Sequence, residues 1–195
     1  MKTELTQILN SVKNGSMTVE EAALKLKITP FEDIGYAKID LHRKIRQGAA
    51  EVIYGAGKTA VQIAGITETM LKNGQENILI TRLDPKAAEF LKKTVELDYH
   101  EDAKIGIIGQ IPAPDGIGKI VVATGGTSDI PVAEEAALTS EVLGNQVERL
   151  YDVGVAGLHR LLKHLDEIMN ASVIIAVAGM EGALASVIGG LSDCP

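Results

Sequence analysis

Apolar residues recur at helical spacing across residues 1–30. A first run has neighbours three or four positions apart, which is typical of one face of a helix. Its members are Leu5, Ile8, Leu9 and Val12. Thr18 and the acidic residues after it then form a capping signal before a second apolar run. The pattern predicts an N-terminal helical hairpin over residues 1–30.

The pattern changes after residue 30 to short β-type runs separated by helical segments. The runs lie at 51–54, 77–81 and 104–108, and the helical segments lie near 58–73 and 84–96. This alternation predicts a small α/β domain over residues 31–110. Residues 111–117 contain two prolines and a glycine, which disfavour both helix and central strand, and we interpret them as a linker.

Residues 118–195 show three strongly apolar runs, each followed by a helical pattern. The runs are 119–123, a strand near 147–155, and 172–178, and a last helix is expected near 182–190. Near-continuous Val, Ile and Ala residues are typical of a parallel sheet that helices cover on both faces. The sequence therefore predicts a Rossmann-like, three-layer α/β/α domain. Three strands leave an unpaired apolar edge, so we expect this domain to be incomplete at its carboxyl end.

Charge and composition narrow the possible partners. The chain of 195 residues carries 19 Lys and Arg against 26 Asp and Glu, a formal charge of −7, which argues against binding to nucleic acid or an anionic membrane. The amino terminus lacks the apolar core of a signal peptide, and the sequence contains no apolar run of bilayer-spanning length. We predict a cytoplasmic protein. Cys194, the single cysteine, is either a small buried residue or a reactive thiol.

The first candidate site follows the run 119–123. Two glycines allow the backbone to approach a ligand closely, and the next helix offers free N–H groups to an anion. This turn consists of Gly125, Gly126, Thr127, Ser128 and Asp129. It suits a phosphate group. An alternative is that Ser128 and Asp129 only cap the helix, with Pro131 in its first turn.

Two further turns follow the next two runs. The second turn carries Asp152, His159 and Arg160; arginine suits a phosphate or carboxylate, and histidine can move protons near neutral pH. In the third turn, Glu181 lies between glycines after the most apolar run, where partial desolvation would suit it to act as a base. The alternatives are a solvated or capping His-Arg pair and an ionic contact of Glu181 with the next helix.

A glycine-rich turn also occurs in the first α/β region. Lys58 and Thr59 follow two glycines at a predicted helix start, in partial likeness to a P-loop. Val52 stands where that motif needs a glycine, which leaves a triphosphatase as a minor interpretation. Lys58 and Thr59 are still suited to hold a pyrophosphate or carboxylate, and Arg82 would add positive charge. The alternative for Arg82 is an ordinary surface arginine.

These three turns together resemble the loops of the PurE family of aminoimidazole ribonucleotide carboxylases and mutases. Its Gly-Ser-x-Ser-Asp loop corresponds to 125–129, and its His-Arg pair corresponds to His159 and Arg160. The serine before that pair is absent, and Ala183 replaces a histidine in the third loop. Those departures count against purine chemistry.

Several longer features occur in order along nearly the whole chain. They are an additional N-terminal α/β region with Gly-Lys-Thr, the motif Asp-Val-Gly-Val-Ala-Gly-Leu-His-Arg, the motif Gly-Met-Glu-Gly-Ala-Leu and a late Asp-Cys-Pro. In these features the chain is more similar to the LarB family of nickel-pincer-nucleotide biosynthesis proteins. Several long motifs in the same order are far more specific than any one of them. This resemblance implies a PurE-like fold for residues 118–195.

The resemblance also implies a reaction. The substrate would be nicotinic acid adenine dinucleotide, carboxylated at the pyridinium 5-position with carbon dioxide or bicarbonate and then hydrolysed to release AMP, with magnesium as cofactor. Cys194 would add to the ring as a thiolate, with Glu181 and His159 as candidate bases. The other named residues would bind substrate: Gly125, Gly126, Thr127, Ser128, Asp129, Asp152, Arg160, Lys58, Thr59 and Arg82. The resemblance assigns no metal ligands.

The resemblance further implies a symmetric homo-oligomer and a polypeptide that continues beyond Cys-Pro, so we expect the fragment alone to be inactive. Two other functions stay open. One is a PurE-like carboxylase or mutase of an imidazole ribonucleotide. The other is a non-catalytic nucleotide-binding module, which would explain the anion-binding turns without a thiol.

Overall fold

The computed structural model describes residues 2–28, 31–41, 43 and 48–195. The chain divides into two units, one formed by Met1–Glu51 with Gly65–Gln75 and the other by Val52–Ala64 with Glu76–Pro195. Both contain helices and strands, and the α/β class is confirmed. The domain bounds at 30, 110 and 117 stay a prediction.

Two helices and a short hairpin make up most of the first unit. They are α1 (Lys2–Lys13), α2 (Val19–Ile28), β1 (Phe31–Asp33) and β2 (Lys38–Asp40), and the later part of α3 (Ala60–Lys72) joins them. Thr18 and Glu21 form a reciprocal cap at the start of α2: each backbone N–H donates to the other side chain, at 2.9 and 3.1 Å. Strands β1 and β2 pair antiparallel. They were not predicted from the sequence because three residues are too few to show the alternation of apolar and polar positions.

A four-stranded mixed sheet opens the second unit. Its strands are β3 (Ile53–Tyr54), β4 (Ile78–Thr81), β5 (Asp98–His100) and β6 (Ile105–Ile108), in the order β3-β4-β6-β5. The β3–β4 pair is parallel and the other two pairs are antiparallel. Helix α4 (Pro85–Leu91) is shorter than the helical segment predicted at 84–96, because the chain turns after it to enter β5. Asp84 caps α4 by accepting from Lys86 N–H at 2.9 Å.

The rest of the second unit contains a three-stranded parallel sheet in the order β8-β7-β9. Its elements, in chain order, are β7 (Lys119–Thr124), α5 (Ile130–Val142), β8 (Gln146–Leu150), α6 (Leu158–Leu162), α7 (Leu165–Met169), β9 (Val173–Val177) and α8 (Ala183–Gly189). Short 3-10 turns at Thr127–Asp129 and Val155–Gly157 precede α5 and α6. The parallel sheet and the helix after each strand are of the predicted PurE-like type.

Alternate residues of the central strand β7 face different helices. Val121 and Ala123 pack in a cluster with residues of α6, α7 and α8. Val122 packs instead with Ala133 and Ala137 of α5. All three β7 side chains are fully buried. Helices therefore cover both faces of this sheet, which explains the near-continuous apolar run.

Strand β8 ends earlier than predicted, at Leu150 rather than near Val155. Asp152 has a left-handed backbone, with φ of 57°, which no strand accommodates. Val153 is buried beyond it, so the apolar pattern continues although the strand does not.

Helix α5 also packs on the four-stranded sheet. Leu138 belongs to a buried cluster with Leu79, Ala103, Ile105 and Ile107. Both sheets of the second unit therefore share this helix. Across the described residues, no helix combines the length and apolarity that spanning a bilayer requires.

Candidate functional site

The parallel sheet brings its three strand-end turns together at one edge. The carbonyl of Thr124, the last residue of β7, accepts from Val153 N–H at 2.9 Å, and its hydroxyl accepts from Asp152 N–H at 2.9 Å. On the other side, Gly125 N–H donates to the Val177 carbonyl at 2.9 Å. Hydrogen bonds therefore connect the turn 124–129 with the turn 151–157 and with the end of β9, where the turn 178–182 begins. These three turns are hereafter called the turn cluster.

Two glycines allow these turns to approach closely. A Cβ atom on Gly154 would lie 2.3 Å from the Gly125 carbonyl oxygen, far inside van der Waals contact. A Cβ atom on Gly125 would lie 3.3 Å from both the Ala178 Cβ and an Asp129 carboxylate oxygen. Any side chain at position 154 would therefore push the first two turns apart.

The Asp129 side chain connects the first turn, to which it belongs, with the third. Its Oδ2 accepts from Gly126 N–H at 2.9 Å, and its Oδ1 is 3.7 Å from the position that a Cβ of Gly179 would take. In the described part of the chain, no side chain caps α5. At the start of α5, however, Ile130 N–H already donates to the Thr127 carbonyl and Pro131 carries no N–H, so the exposed hydroxyls of Thr127 and Ser128 are the donors that this turn offers to an anion.

An ion pair forms the charged part of the second turn. Arg160 Nη1 lies 2.7 Å from Asp152 Oδ2, and these side chains are 38% and 49% exposed. Solvent therefore reaches the guanidinium, which can contact an anion without leaving the carboxylate. The His159 side chain is exposed one residue earlier at the start of α6. Both residues of the His-Arg pair are thus at the sheet edge.

The third turn carries two exposed side chains, Met180 and Glu181. Met180 has a left-handed backbone, with φ of 52°, and Gly182 has φ of 69°. The Met180 side chain is 99% exposed, and that of Glu181 is also exposed. The partial desolvation expected for Glu181 is therefore absent in the described chain, and its use as a base would depend on the substrate to exclude water.

Lys58 and Thr59 have partners within their own turn. Lys58 Nζ donates to the Tyr54 carbonyl at 2.7 Å. Thr59 and Gln62 cap α3 reciprocally, since Thr59 N–H donates to Gln62 Oε1 at 2.9 Å and Gln62 N–H donates to Thr59 Oγ1 at 3.2 Å. The Gly-Lys-Thr sequence is thus explained locally by a helix cap, although the Thr59 side chain remains exposed.

Arg82 connects this turn to α5. It follows β4 beside Gly55, whose N–H donates to the Thr81 carbonyl at 2.7 Å. Arg82 Nε lies 2.8 Å from a carboxylate oxygen of Glu135 on α5. The Arg82 side chain is half exposed, and its backbone has a positive φ of 52°. Lys58, Thr59 and Arg82 therefore share the carboxyl ends of β3 and β4, and Arg82 reaches the helix that begins at the turn cluster.

Cys194 lies elsewhere. The main-chain oxygen of Pro195 accepts from Ile174 N–H at 2.9 Å, which places the adjacent Cys194 beside the amino-terminal end of β9. The turn cluster is at the other end of that strand, about 10 Å away at roughly 3.3 Å per residue. The structure therefore does not bring the thiol together with His159, Arg160 or Glu181.

Sequence reasoning missed a charged cluster behind the turns. Arg149 binds Glu141 through both terminal nitrogens at 2.6 and 2.9 Å and Glu134 through Nε at 3.1 Å. Tyr151 O–H donates to Glu134 at 2.7 Å. The hydrogen bonds to Glu141 are the main reason that the Arg149 pKa is raised, and burial is the main reason that the Tyr151 pKa is raised. The spacing of these residues in the sequence could have predicted the cluster, because Glu134 and Glu141 share a helix face and Arg149 and Tyr151 share a strand face.

The residues of the turn cluster can bind anions, but they do not form a metal site by themselves. Within the ranges that the structure describes, no three His, Cys, Asp or Glu side chains group closely enough to hold a metal ion. The turn cluster supplies exposed hydroxyls and a guanidinium, which together suit a phosphate and its ribose.

Comparison with known proteins adds two findings. Residues 31–110 match the family model described as the LarB/PurE-like N-terminal domain. Over 204 residues the chain is 38% identical to the uncharacterized protein MJ0165 of Methanocaldococcus jannaschii, and the match covers 100% of this chain and 80% of that protein. The similarity thus includes all three turns of the cluster as well as the region of the family model.

Proposed function

The chain belongs to the LarB/PurE-like family, and from this premise we propose that it carboxylates nicotinic acid adenine dinucleotide. Family membership supports an enzyme of carboxylase-related type. The proposed reaction adds carbon dioxide, supplied as such or as bicarbonate, at the pyridinium 5-position. Hydrolysis of the phosphoanhydride then releases AMP and pyridinium-3,5-biscarboxylic acid mononucleotide.

The observation that carries this proposal is the joining of three turns around the start of α5. A nicotinate nucleotide has a phosphate, a ribose and a ring carboxylate that need partners. The exposed hydroxyls of Thr127 and Ser128 suit the phosphate. Arg160 is held by Asp152 at 2.7 Å and suits a carboxylate or a second phosphate oxygen.

The adenylate half of the substrate would use the second group of cations. Lys58, Thr59 and Arg82 share one sheet edge, and Arg82 contacts α5 through Glu135. Binding of a phosphate there would compete with the contact of Lys58 to the Tyr54 carbonyl. A dinucleotide that extends from the turn cluster toward Arg82 would use both groups of cations.

The ring chemistry needs a nucleophile because a pyridinium carbon is electron-poor. A thiolate that adds para to the ring nitrogen gives a neutral dihydropyridine, whose 5-carbon attacks carbon dioxide and forms the new carbon–carbon bond. A base then removes the proton from that carbon, and the carbon–sulfur bond breaks as the thiolate leaves and aromaticity returns. The step releases one proton and needs no oxidant. Glu181 and His159 are the candidate bases.

Cys194 is the proposed thiolate, and its position makes it the part of the scheme that needs the most direct test. It lies at the opposite end of β9 from both candidate bases. Replacement by serine in the natural protein should abolish turnover while leaving dinucleotide binding intact. Unchanged turnover would remove Cys194 from the mechanism without touching the carboxylase proposal.

Magnesium, which the family resemblance implies, belongs to the proposal only as an ion carried by the substrate phosphates. Such ions are often held by one or two carboxylates together with phosphate oxygens. The described residues contain no three-residue metal-ligating group, so they do not fit a site made by protein alone. No step of the proposed chemistry runs through the ion.

The main experiment follows the substrate by mass spectrometry. The natural protein is incubated with nicotinic acid adenine dinucleotide, magnesium and isotopically labelled bicarbonate. We expect AMP and a mononucleotide that carries one labelled carboxyl group. Consumption of an aminoimidazole ribonucleotide instead would favour the PurE-like alternative, and failure to convert the dinucleotide would refute the proposal.

A second candidate is a non-catalytic nucleotide-binding module. The separation of Cys194 from the turn cluster favours it, because binding needs no thiol. Saturable binding of the dinucleotide without any product, in the presence of bicarbonate and magnesium, would support this candidate.

A further inference from the structure

We propose that Met180 packs against the pyridinium ring of the bound dinucleotide and selects for that ring, an inference that rests on the proposed function. It assigns to the third turn a contact that neither the family model nor the relative describes.

Exposure is the first observation. The Met180 side chain is 99% exposed, so core packing does not account for an apolar residue there. When a ligand covers a fully exposed large apolar side chain, removal of the apolar surface from water contributes favourably to the binding free energy. Ile117, in the predicted linker, is the other fully exposed apolar residue among those described, at 100%. Only Met180 lies in the turn cluster.

The backbone is the second observation. Met180 adopts φ of 52° although side chains disfavour this conformation, while Gly179 and Gly182 are close by in the same turn. Retained strain of this kind is concentrated at functional sites. A glycine at position 180 would relieve the strain and remove only the side chain, which makes the Met180 side chain the part of this turn to test against a ligand.

Position and chemistry give the third step. The position of a Cβ on Gly179 is 3.7 Å from Asp129 Oδ1, so the third turn stands beside the first, where the nucleotide phosphate is proposed to bind. An unbranched thioether is polarizable and packs well on aromatic rings. A cationic ring above Met180 would also lie near the carboxylate of Glu181, the next residue. The ring end of the substrate, rather than its adenine, therefore suits this turn.

The experiment measures binding by isothermal titration calorimetry with two probes, nicotinic acid adenine dinucleotide and AMP, which lacks the pyridinium ring. Met180→Ala should weaken dinucleotide binding by about 3- to 10-fold and leave AMP binding unchanged. Met180→Leu, which keeps an apolar side chain of similar size, should restore most of the affinity. Ile117→Ala is the matched control and should change neither affinity.

Each outcome is decisive. Equal weakening for both probes would mean that Met180 acts on the whole site rather than on the ring, and would overturn the inference. Unchanged dinucleotide affinity in Met180→Ala would overturn it while the proposed function survives. Absence of dinucleotide binding in the unmodified protein would overturn both. A loss of oligomer mass in Met180→Ala, seen by light scattering, would assign the side chain to a contact between copies of the chain instead.

Discussion

Gly154→Ala tests whether close approach of two turns maintains the candidate site. Gly154 has φ of −58° and ψ of 147°, a conformation that alanine adopts freely. The added methyl carbon would nevertheless lie 2.3 Å from the Gly125 carbonyl oxygen and 3.2 Å from its carbonyl carbon, where ordinary contact begins near 3.4 Å. The penalty is therefore steric and arises from backbone that cannot rotate away.

The size of the effect follows from overpacking. Forcing one carbon into a packed site costs about 1–3 kcal/mol of unfolding free energy. For a domain of this size, each kcal/mol lowers the melting temperature by about 2–4 °C. Displacement of the 124–129 turn should also weaken nucleotide binding in the protein that remains folded. Calorimetric melting and titration with the dinucleotide measure the two effects separately.

Gly189→Ala is the control for the loss of a glycine. No described atom lies within 4 Å of a Cβ placed there, and the residue ends helix α8. Alanine should raise stability by up to about 0.5–1 kcal/mol without affecting binding. If Gly154→Ala has the same melting temperature as the unmodified protein and binds the dinucleotide equally well, the two turns are not in contact and this description of the site is wrong.

Three further predictions concern residues near the two groups of cations. Thr59→Ala should lower stability by about 0.5–2 kcal/mol in urea unfolding, because it removes the cap of α3, whereas Thr59→Ser should not; an equal loss in both would contradict the cap. Arg149→Met should lower it by about 1–3 kcal/mol, because Glu134 and Glu141 lose their shared cation; an unchanged urea midpoint would contradict this. Burial is the main reason, and the hydrogen bond to Glu134 the second, that the Tyr151 pKa is raised above the ordinary value of 10.0. The contribution of the neutral phenol to the free energy of unfolding is therefore complete below pH 10.0 and is lost as the pH rises through the folded-state pKa. Tyr151→Phe should therefore lose stability less steeply above pH 10.0, and parallel curves would contradict this assignment.

The sequence predicted the strands of the parallel sheet because buried strands appear in a sequence as continuous apolar runs. The runs 119–123 and 172–178 correspond to β7 and β9 within a residue or so at each end. The end of β8 was misplaced because Val153 is buried without belonging to the strand: it packs in the same apolar cluster as Leu150 and Leu161. Hydropathy records burial and does not record backbone φ, so the turn at Asp152 was not visible.

The candidate site was predictable to the extent that it follows strand order. Residues that directly follow parallel strands share a sheet edge, which is why Asp129, Asp152 and Glu181 are all found there. Cys194 shows the limit of this reasoning. It was assigned by resemblance of a short motif, whereas its position depends on where the chain lies after α8, and a single hydrogen bond to β9 places it at the other edge. The contact of Arg82 with Glu135 likewise depends on packing between two sheets.

Backbone strain at the sheet edge allows a last prediction. Met180 and Lys104 have nearly the same left-handed φ, 52° and 51°, but only Met180 is in the turn cluster. Glycine at either position should raise stability by about 0.5–1 kcal/mol, because relief of strain exceeds the added chain entropy. Lys104→Gly should leave dinucleotide binding unchanged, whereas Met180→Gly should weaken it. If both variants gain stability and both bind normally, the strain at Met180 has no connection with the ligand. If Met180→Gly gains stability and loses affinity, the Met180 side chain serves ligand binding at the expense of stability.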